Sequence, residues 1–131
     1  NQNHTEETRM EKRGFWIIHD ELANFDIAFD WLTEGELTLS LRSVPALIFN
    51  RQHGVRLYGS DVWHKFASND KWCTTNVSVH GDNISVWVNG QKAIDNERLA
   101  STNTNNNKAG FVKFLADDNG AVVRQYSFLK K

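Results

Sequence analysis

The sequence is poor in proline and cysteine, with one of each, Pro45 and Cys73, in 131 residues. One cysteine excludes a disulfide framework within the chain and argues against a cysteine-based metal site. Cys73 follows Trp72 at the start of an expected strand, where a small buried hydrophobe is its simplest role. No apolar run reaches the roughly 18 residues that a membrane-spanning helix needs. Neither sign of charge dominates: 15 basic residues stand against 16 acidic ones, for a net charge of -1. That balance removes the electrostatic argument for nucleic acid or an anionic membrane as a partner. Helical periodicity is missing after residue 14, as are internal repeats, P-loops, Ser or Cys triads and His-x-x-x-His spacing. The first residue is Asn1 rather than Met and no signal peptide is visible, so a mature product, a proteolytic piece or an excised domain is expected. The N-x-S/T triplets at Asn3, Asn76 and Asn83 are no more than frequent asparagine produces by chance.

What is present is a period of two. Phe25, Ile27, Phe29 and Trp31 alternate with Asp26, Ala28 and Asp30. Leu37, Leu39 and Leu41 alternate with Thr38, Ser40 and Arg42, and Val55 and Leu57 with Arg56 and Tyr58. The same pattern returns through Val77 and Val79, and through Ile84, Val86 and Val88. Half-buried antiparallel strands read this way. Turn chemistry separates them: Thr33-Glu34-Gly35-Glu36, Gly81-Asp82-Asn83, Asn89-Gly90 and Asp118-Asn119-Gly120. Asn-Gly is a strong hairpin signal, because a type I′ turn needs positive φ at both central residues. The last of these turns is expected to close a hairpin between strands over 111–116 and 121–129. Short strands with turns at this spacing predict one all-β domain, a two-sheet antiparallel sandwich over 14–131. Residues 1–13, polar and without apolar period, are expected to form a flexible arm or linker. Two longer loops are expected, at 59–71 and at 96–108, the second asparagine-rich and polar.

The stretch from Trp72 through Thr74-Thr75-Asn76-Val77-Ser78-Val79 leads into Gly81-Asp82-Asn83-Ile84-Ser85-Val86-Trp87-Val88-Asn89-Gly90-Gln91. After a polar loop come Ala109-Gly110-Phe111-Val112-Lys113-Phe114 and a closing strand ending Tyr126-Ser127-Phe128-Leu129. This run resembles the concanavalin A-like lectin/glucanase superfamily, and within it laminin-G-type domains and the domain of the 3-keto-disaccharide hydrolase group. The Phe25-Asp26-Ile27-Ala28-Phe29-Asp30 strand resembles an early strand of the same proteins. The resemblance implies a jelly-roll sandwich. Such domains carry more strands at their start than this chain has after Gly14, so an edge strand is expected to be either missing or supplied by another segment or subunit.

The resemblance also frames the chemistry. Glycosidases of the superfamily carry an E-x-D-x-x-E run on one strand, and none is present here. Asp26 and Asp30 share a strand face but stand about 13 Å apart at about 3.3 Å per residue, beyond either hydrolytic carboxyl spacing. Catalytic residues are therefore not assigned. Laminin-G-type domains often hold calcium at the sandwich rim, for which Asp61, Asp117 and Asp118 are the available carboxylates, although Asp in turns more commonly bonds its own backbone. No cofactor is expected ahead of that one.

Five tryptophans are many for this length. Indole and phenol faces stack on the apolar CH surface of a pyranose, with polar side chains holding its hydroxyls. Trp31 falls on the core face, and Trp16 and Trp72 lean the same way. Arg42, Arg56 and Tyr58 are expected on the outward faces of their strands, near a loop bearing Trp63 and His64. Trp87 lies opposite the core face of its strand. These six are the candidate ligand-binding residues, and a solvated sheet face is the simpler account of each taken alone.

Three functions remain open. The first is a lectin-like carbohydrate-binding module of a larger secreted or surface protein, with glycan as partner. The second is a glycoside-processing domain of the 3-keto-disaccharide hydrolase type, using loop carboxylates. The third is a protein-interaction or assembly domain, using Trp87 and an incomplete sheet edge toward another domain or subunit.

Overall fold

A computed structural model describes residues 2–68, 70–99 and 108–131. Among the described residues, twelve strands run in chain order: β1 (Gln2–His4), β2 (Thr8–Met10), β3 (Phe15–Leu22), β4 (Phe25–Leu32), β5 (Glu36–Leu41), β6 (Val44–Asn50), β7 (Gly54–Leu57), β8 (Cys73–His80), β9 (Asn83–Val88), β10 (Gln91–Arg98), β11 (Gly110–Ala116) and β12 (Ala121–Lys130). There is no helix among the described residues. One sheet has seven strands in the order β1-β12-β4-β8-β9-β10, with β2 also on β12. The other has five, in the order β3-β11-β5-β6-β7. Every pairing is antiparallel. The two-sheet antiparallel sandwich expected from alternation is the architecture found.

The core lies between the sheets. Alternation along β4 buries Phe25, Ile27, Phe29 and Trp31 completely and turns Asp26 and Asp30 outward. Leu37, Leu39 and Leu41 do the same from β5, and Ile84, Val86 and Val88 from β9. Aromatic rings join the two layers. Phe114 of β11 meets Phe29 of β4 edge-on at 4.8 Å and stacks on Trp16 of β3 at 5.9 Å. Such geometries add about 0.5–1.5 kcal/mol per pair beyond area burial. Trp16 thus sits against the core, as its sequence position suggested.

Trp31 carries a polar group into this interior. Its indole Nε1–H donates to Thr75 Oγ1 across the β4–β8 pair at 2.8 Å, and both residues are buried. Thr75→Val keeps the shape and removes the acceptor. A buried donor without a partner costs about 1–3 kcal/mol, so urea denaturation should show a loss in that range. A loss below about 0.5 kcal/mol would mean that the hydroxyl is dispensable.

Three local expectations are corrected. The segment before Gly14, expected as an arm, lies along β12: Gln2 to His4 pair with Phe128 to Tyr126, and Thr8 to Met10 with Val123 to Ala121. Met10 enters the core. The N-terminal segment therefore supplies strands beside β12. The Asp118-Asn119-Gly120 turn does not close a hairpin, because β11 and β12 belong to different sheets. It is a crossover, held by the Asp117 carboxylate, which accepts from Glu36 N at 2.8 Å and from Asn119 N at 2.9 Å. Finally, Arg42 does not continue the outward face of β5. Arg42 and Ser43 form the β5–β6 turn with φ of 53° and 67°, the double positive φ that Asn89 and Gly90 adopt at 52° and 82°. Burial of Arg42 follows from that turn.

Candidate functional site

The β6–β7 hairpin and the loop after it build an aromatic and cationic cluster at one margin of the five-stranded sheet. Asn50 starts the hairpin turn, its Oδ1 accepting from Gln52 N and His53 N at 2.9 and 2.8 Å. Gly54 follows with φ of 118°. Val55 then exchanges two backbone hydrogen bonds with His64, at 2.9 and 2.8 Å, so the loop lies against β7 like a further strand. A Cβ on Gly54 would overlap the His64 carbonyl, so glycine is required for close approach as well as for φ.

This pairing decides where the loop side chains go. Residues directly opposite in an antiparallel pair share a sheet face. Val55 is a core residue, so His64 turns inward at the sandwich edge, where its Nε2 lies 3.3 Å from Glu97 Oε2 of β10. His64 thus links the margins of the two sheets. Trp63 belongs to the other side. Arg56 Cζ lies 5.1 Å from its ring centroid, and the His53 ring lies 5.5 Å away at an interplanar angle of 35°. Arg56 also donates to Ser60 O at 2.7 Å, which fixes the guanidinium. Tyr58, two residues beyond Arg56, is 47% exposed.

Two of the six expected residues, Arg56 and Trp63, therefore come together, joined by His53, which spacing rules for metal ligands passed over, while Tyr58 lies just past the end of β7 with its backbone N donating to Ala46 O at 2.8 Å. The other three lie apart. His64 is next to Trp63 in sequence but faces Glu97. Arg42 is 7% exposed, with Nε donating to Ala23 O and Nη2 to Gly81 O, both at 2.8 Å. Trp87 stands on the outer face of the seven-stranded sheet with Lys92 Nζ 5.1 Å from its ring centroid. It lines a recess of about 260 Å³ with Asp26, Asn76, Ser78 and Lys131.

The remaining candidate chemistry is dispersed. Asp30 pairs with Arg124 at 3.2 Å and Asp26 with Lys131 at 3.1 Å, both on the sheet opposite Trp63. Asp117 is a turn cap and Asp118 pairs with Arg13. Among the described residues, no group of three His, Cys, Asp or Glu side chains is placed to hold a metal ion. Cys73 is buried, and that burial raises its thiol above the ordinary value, so little thiolate forms near neutrality. Trp72, read as leaning to the core, is half-buried on the outer side of the seven-stranded sheet, with Arg124 Cζ 3.8 Å from its ring centroid.

No family model matches the sequence, and no curated protein does. Solved structures do match. One is a sialidase, aligned with a TM-score of 0.66 and 10% identity over 95% of this chain. This chain spans only 15% of that enzyme's length. A second is the carbohydrate-binding module CBM66 from Bacillus subtilis, with a TM-score of 0.61 and 11% identity over 95% of this chain and 96% of the module. A third is a galectin from Caenorhabditis elegans, with a TM-score of 0.57 and 12% identity over 92% of this chain and 95% of the galectin. At such identities the likeness is one of backbone architecture, and the chain has the concanavalin A-like jelly-roll fold.

Proposed function

We propose that the chain is a non-catalytic, lectin-like carbohydrate-binding module, and that it holds glycan on the outer face of the five-stranded sheet at Trp63. One observation carries this reading: an indole at the sheet margin, flanked by the Arg56 guanidinium and the His53 imidazole. The indole supplies the flat apolar surface that a pyranose CH face requires, and the flanking groups supply donors for its hydroxyls. The carboxylates Asp26 and Asp30 are ion-paired and lie on the other sheet, away from this cluster. The structural neighbours agree with a sugar-directed role, since two of them are named as a carbohydrate-binding module and a galectin. The small share of the sialidase that this chain spans fits a module within a larger protein, and a glycan partner fits a secreted or surface setting.

A glycan array tests this directly, with the wild-type chain beside Trp63→Ala. Trp63 is half-buried on the surface and makes no core contact, so the variant should fold normally. Losing a stacking platform should cost about 2 kcal/mol, or roughly 30-fold in affinity. Equal binding by the two proteins, or no binding by a folded wild type, overturns the reading.

A further inference from the structure

The outer face of the seven-stranded sheet carries a second aromatic site, centred on Trp72. This residue enters β8 in the middle of the sheet, between β4 and β12 on one side and β9 and β10 on the other. The β12 side of its indole is occupied by the Arg124 guanidinium at 3.8 Å, which Asp30 holds through Nε. On the β9–β10 side the indole borders a recess of about 400 Å³, shared with Ala67, Asp70, Thr74, Asn89 and Gln91. We propose that this recess is a second carbohydrate-binding site that takes a neutral pyranose stacked on the indole, independent of the site at Trp63.

The lining argues for that ligand class. Asn89 is spent on the scaffold, since its Oδ1 accepts from Thr74 N at 2.9 Å and its Nδ2 donates to Ala67 O at 2.8 Å. Gln91 Oε1 accepts from Ala67 N at 3.0 Å, which fixes the side chain and leaves its amide NH2 as a donor. The Thr74 hydroxyl both donates and accepts. Asp70 uses one oxygen on Lys71 N at 2.6 Å and has a second as acceptor. Donors and acceptors lining one recess beside an indole suit a ring of hydroxyls. A cationic ligand is disfavoured because Arg124 already places a positive charge against the opposite side of the ring. An anionic ligand is disfavoured by the Asp70 carboxylate. The two sites lie on outer faces of different sheets, so one chain would carry two glycan sites pointing in opposite directions.

Selective ¹⁵N labelling of tryptophan gives each indole N–H its own NMR signal, so the sites report separately. The labelled chain is titrated with lactose, cellobiose, maltose and mannobiose. At least one sugar should move the Trp72 indole signal along a saturating curve, and the same curve should persist in Trp63→Ala. Gln91→Glu keeps an oxygen for Ala67 N but removes the donor, and should weaken binding at Trp72 about tenfold. Circular dichroism confirms that each variant is folded. Three results overturn the proposal: a Trp72 signal unmoved by all four sugars, a shift that disappears with Trp63→Ala, or a shift indifferent to Gln91→Glu. A failure at Trp63 alone leaves the Trp72 curve in place and rejects only the first site.

Discussion

Gly54→Ala is expected to destabilise the protein by about 2–4 kcal/mol and to detach the loop that carries Trp63. Two independent causes act at this position. Its φ of 118° lies outside the range that a side chain tolerates, worth about 1–3 kcal/mol. The added Cβ also overlaps the His64 carbonyl, which is backbone and cannot rotate away. Relief requires the loop to move off β7, breaking the two hydrogen bonds between Val55 and His64, each worth about 0.5–1.5 kcal/mol. Gly59 is the internal control. Its φ is also positive, at 89°, but a Cβ there meets nothing within 4 Å. Gly59→Ala should therefore cost only the backbone strain, about 1 kcal/mol. Urea denaturation of both variants separates the causes. Slopes of about 1–3 kcal/mol per molar convert the expected losses into midpoint shifts of roughly 1–2 M for Gly54→Ala and well under 1 M for Gly59→Ala. Equal shifts would show that contact with His64 does not pin the loop.

This glycine also shows why the sequence disclosed the sandwich more readily than the site. A period of two is a property of single strands, so β4, β5, β8 and β9 could be read from Phe25, Leu37, Val77 and Ile84 onward without knowing their partners. Sheet membership is not local. Asp118-Asn119-Gly120 has the residues of a hairpin turn, yet the chain crosses between sheets there, because Asp117 is tied to Glu36 on the strand that leaves the other crossover. The N-terminal residues lack apolar periodicity for a related reason. β1 and β2 are three residues each and lie at a sheet margin, where backbone pairing with β12 holds them, and Met10 of β2 reaches the core.

The candidate sites divide along the same line. Arg56 and Trp63 could be placed together because the loop that bears Trp63 directly follows the strand that bears Arg56. His53 could not, since it reaches the indole only after the hairpin folds back. His64 does not follow its sequence neighbour: the bridge to Val55 sends its side chain inward toward Glu97, whereas Trp63 meets Arg56 and His53. The Trp72 site depends on Arg124, 52 residues away in sequence, and on a register between β12 and β4 that alternation alone does not set. One available hint was Trp72's position at the start of β8, which fixes it to the face opposite Cys73.

Arg42 supplies the second large effect, because its charge is spent inside the fold. Its guanidinium donates to Ala23 O in the β3–β4 link and to Gly81 O in the β8–β9 turn, while its own backbone forms the β5–β6 turn. Three connections from both sheets therefore meet on one side chain. Burial lowers its pKa somewhat, with Asp82 acting in the opposite direction, and arginine remains charged throughout the working range. Arg42→Ala removes the charge-assisted bonds to Ala23 O and Gly81 O, each worth about 1.5–3 kcal/mol. Water entering the gap offsets part of that, so a loss of about 3–4 kcal/mol is expected. Arg42→Lys should recover little, because a single ammonium cannot span both carbonyls as the planar guanidinium does. Thermal unfolding measures the first claim, as a fall in Tm of roughly 8–15 °C for a domain of this size. Sugar titration below the lowered Tm measures the second: the curve at Trp63 should match the wild type, because Arg42 is held by turns distant from that cluster. A glycan affinity that falls while Tm holds would return Arg42 to the ligand site and remove it from the frame.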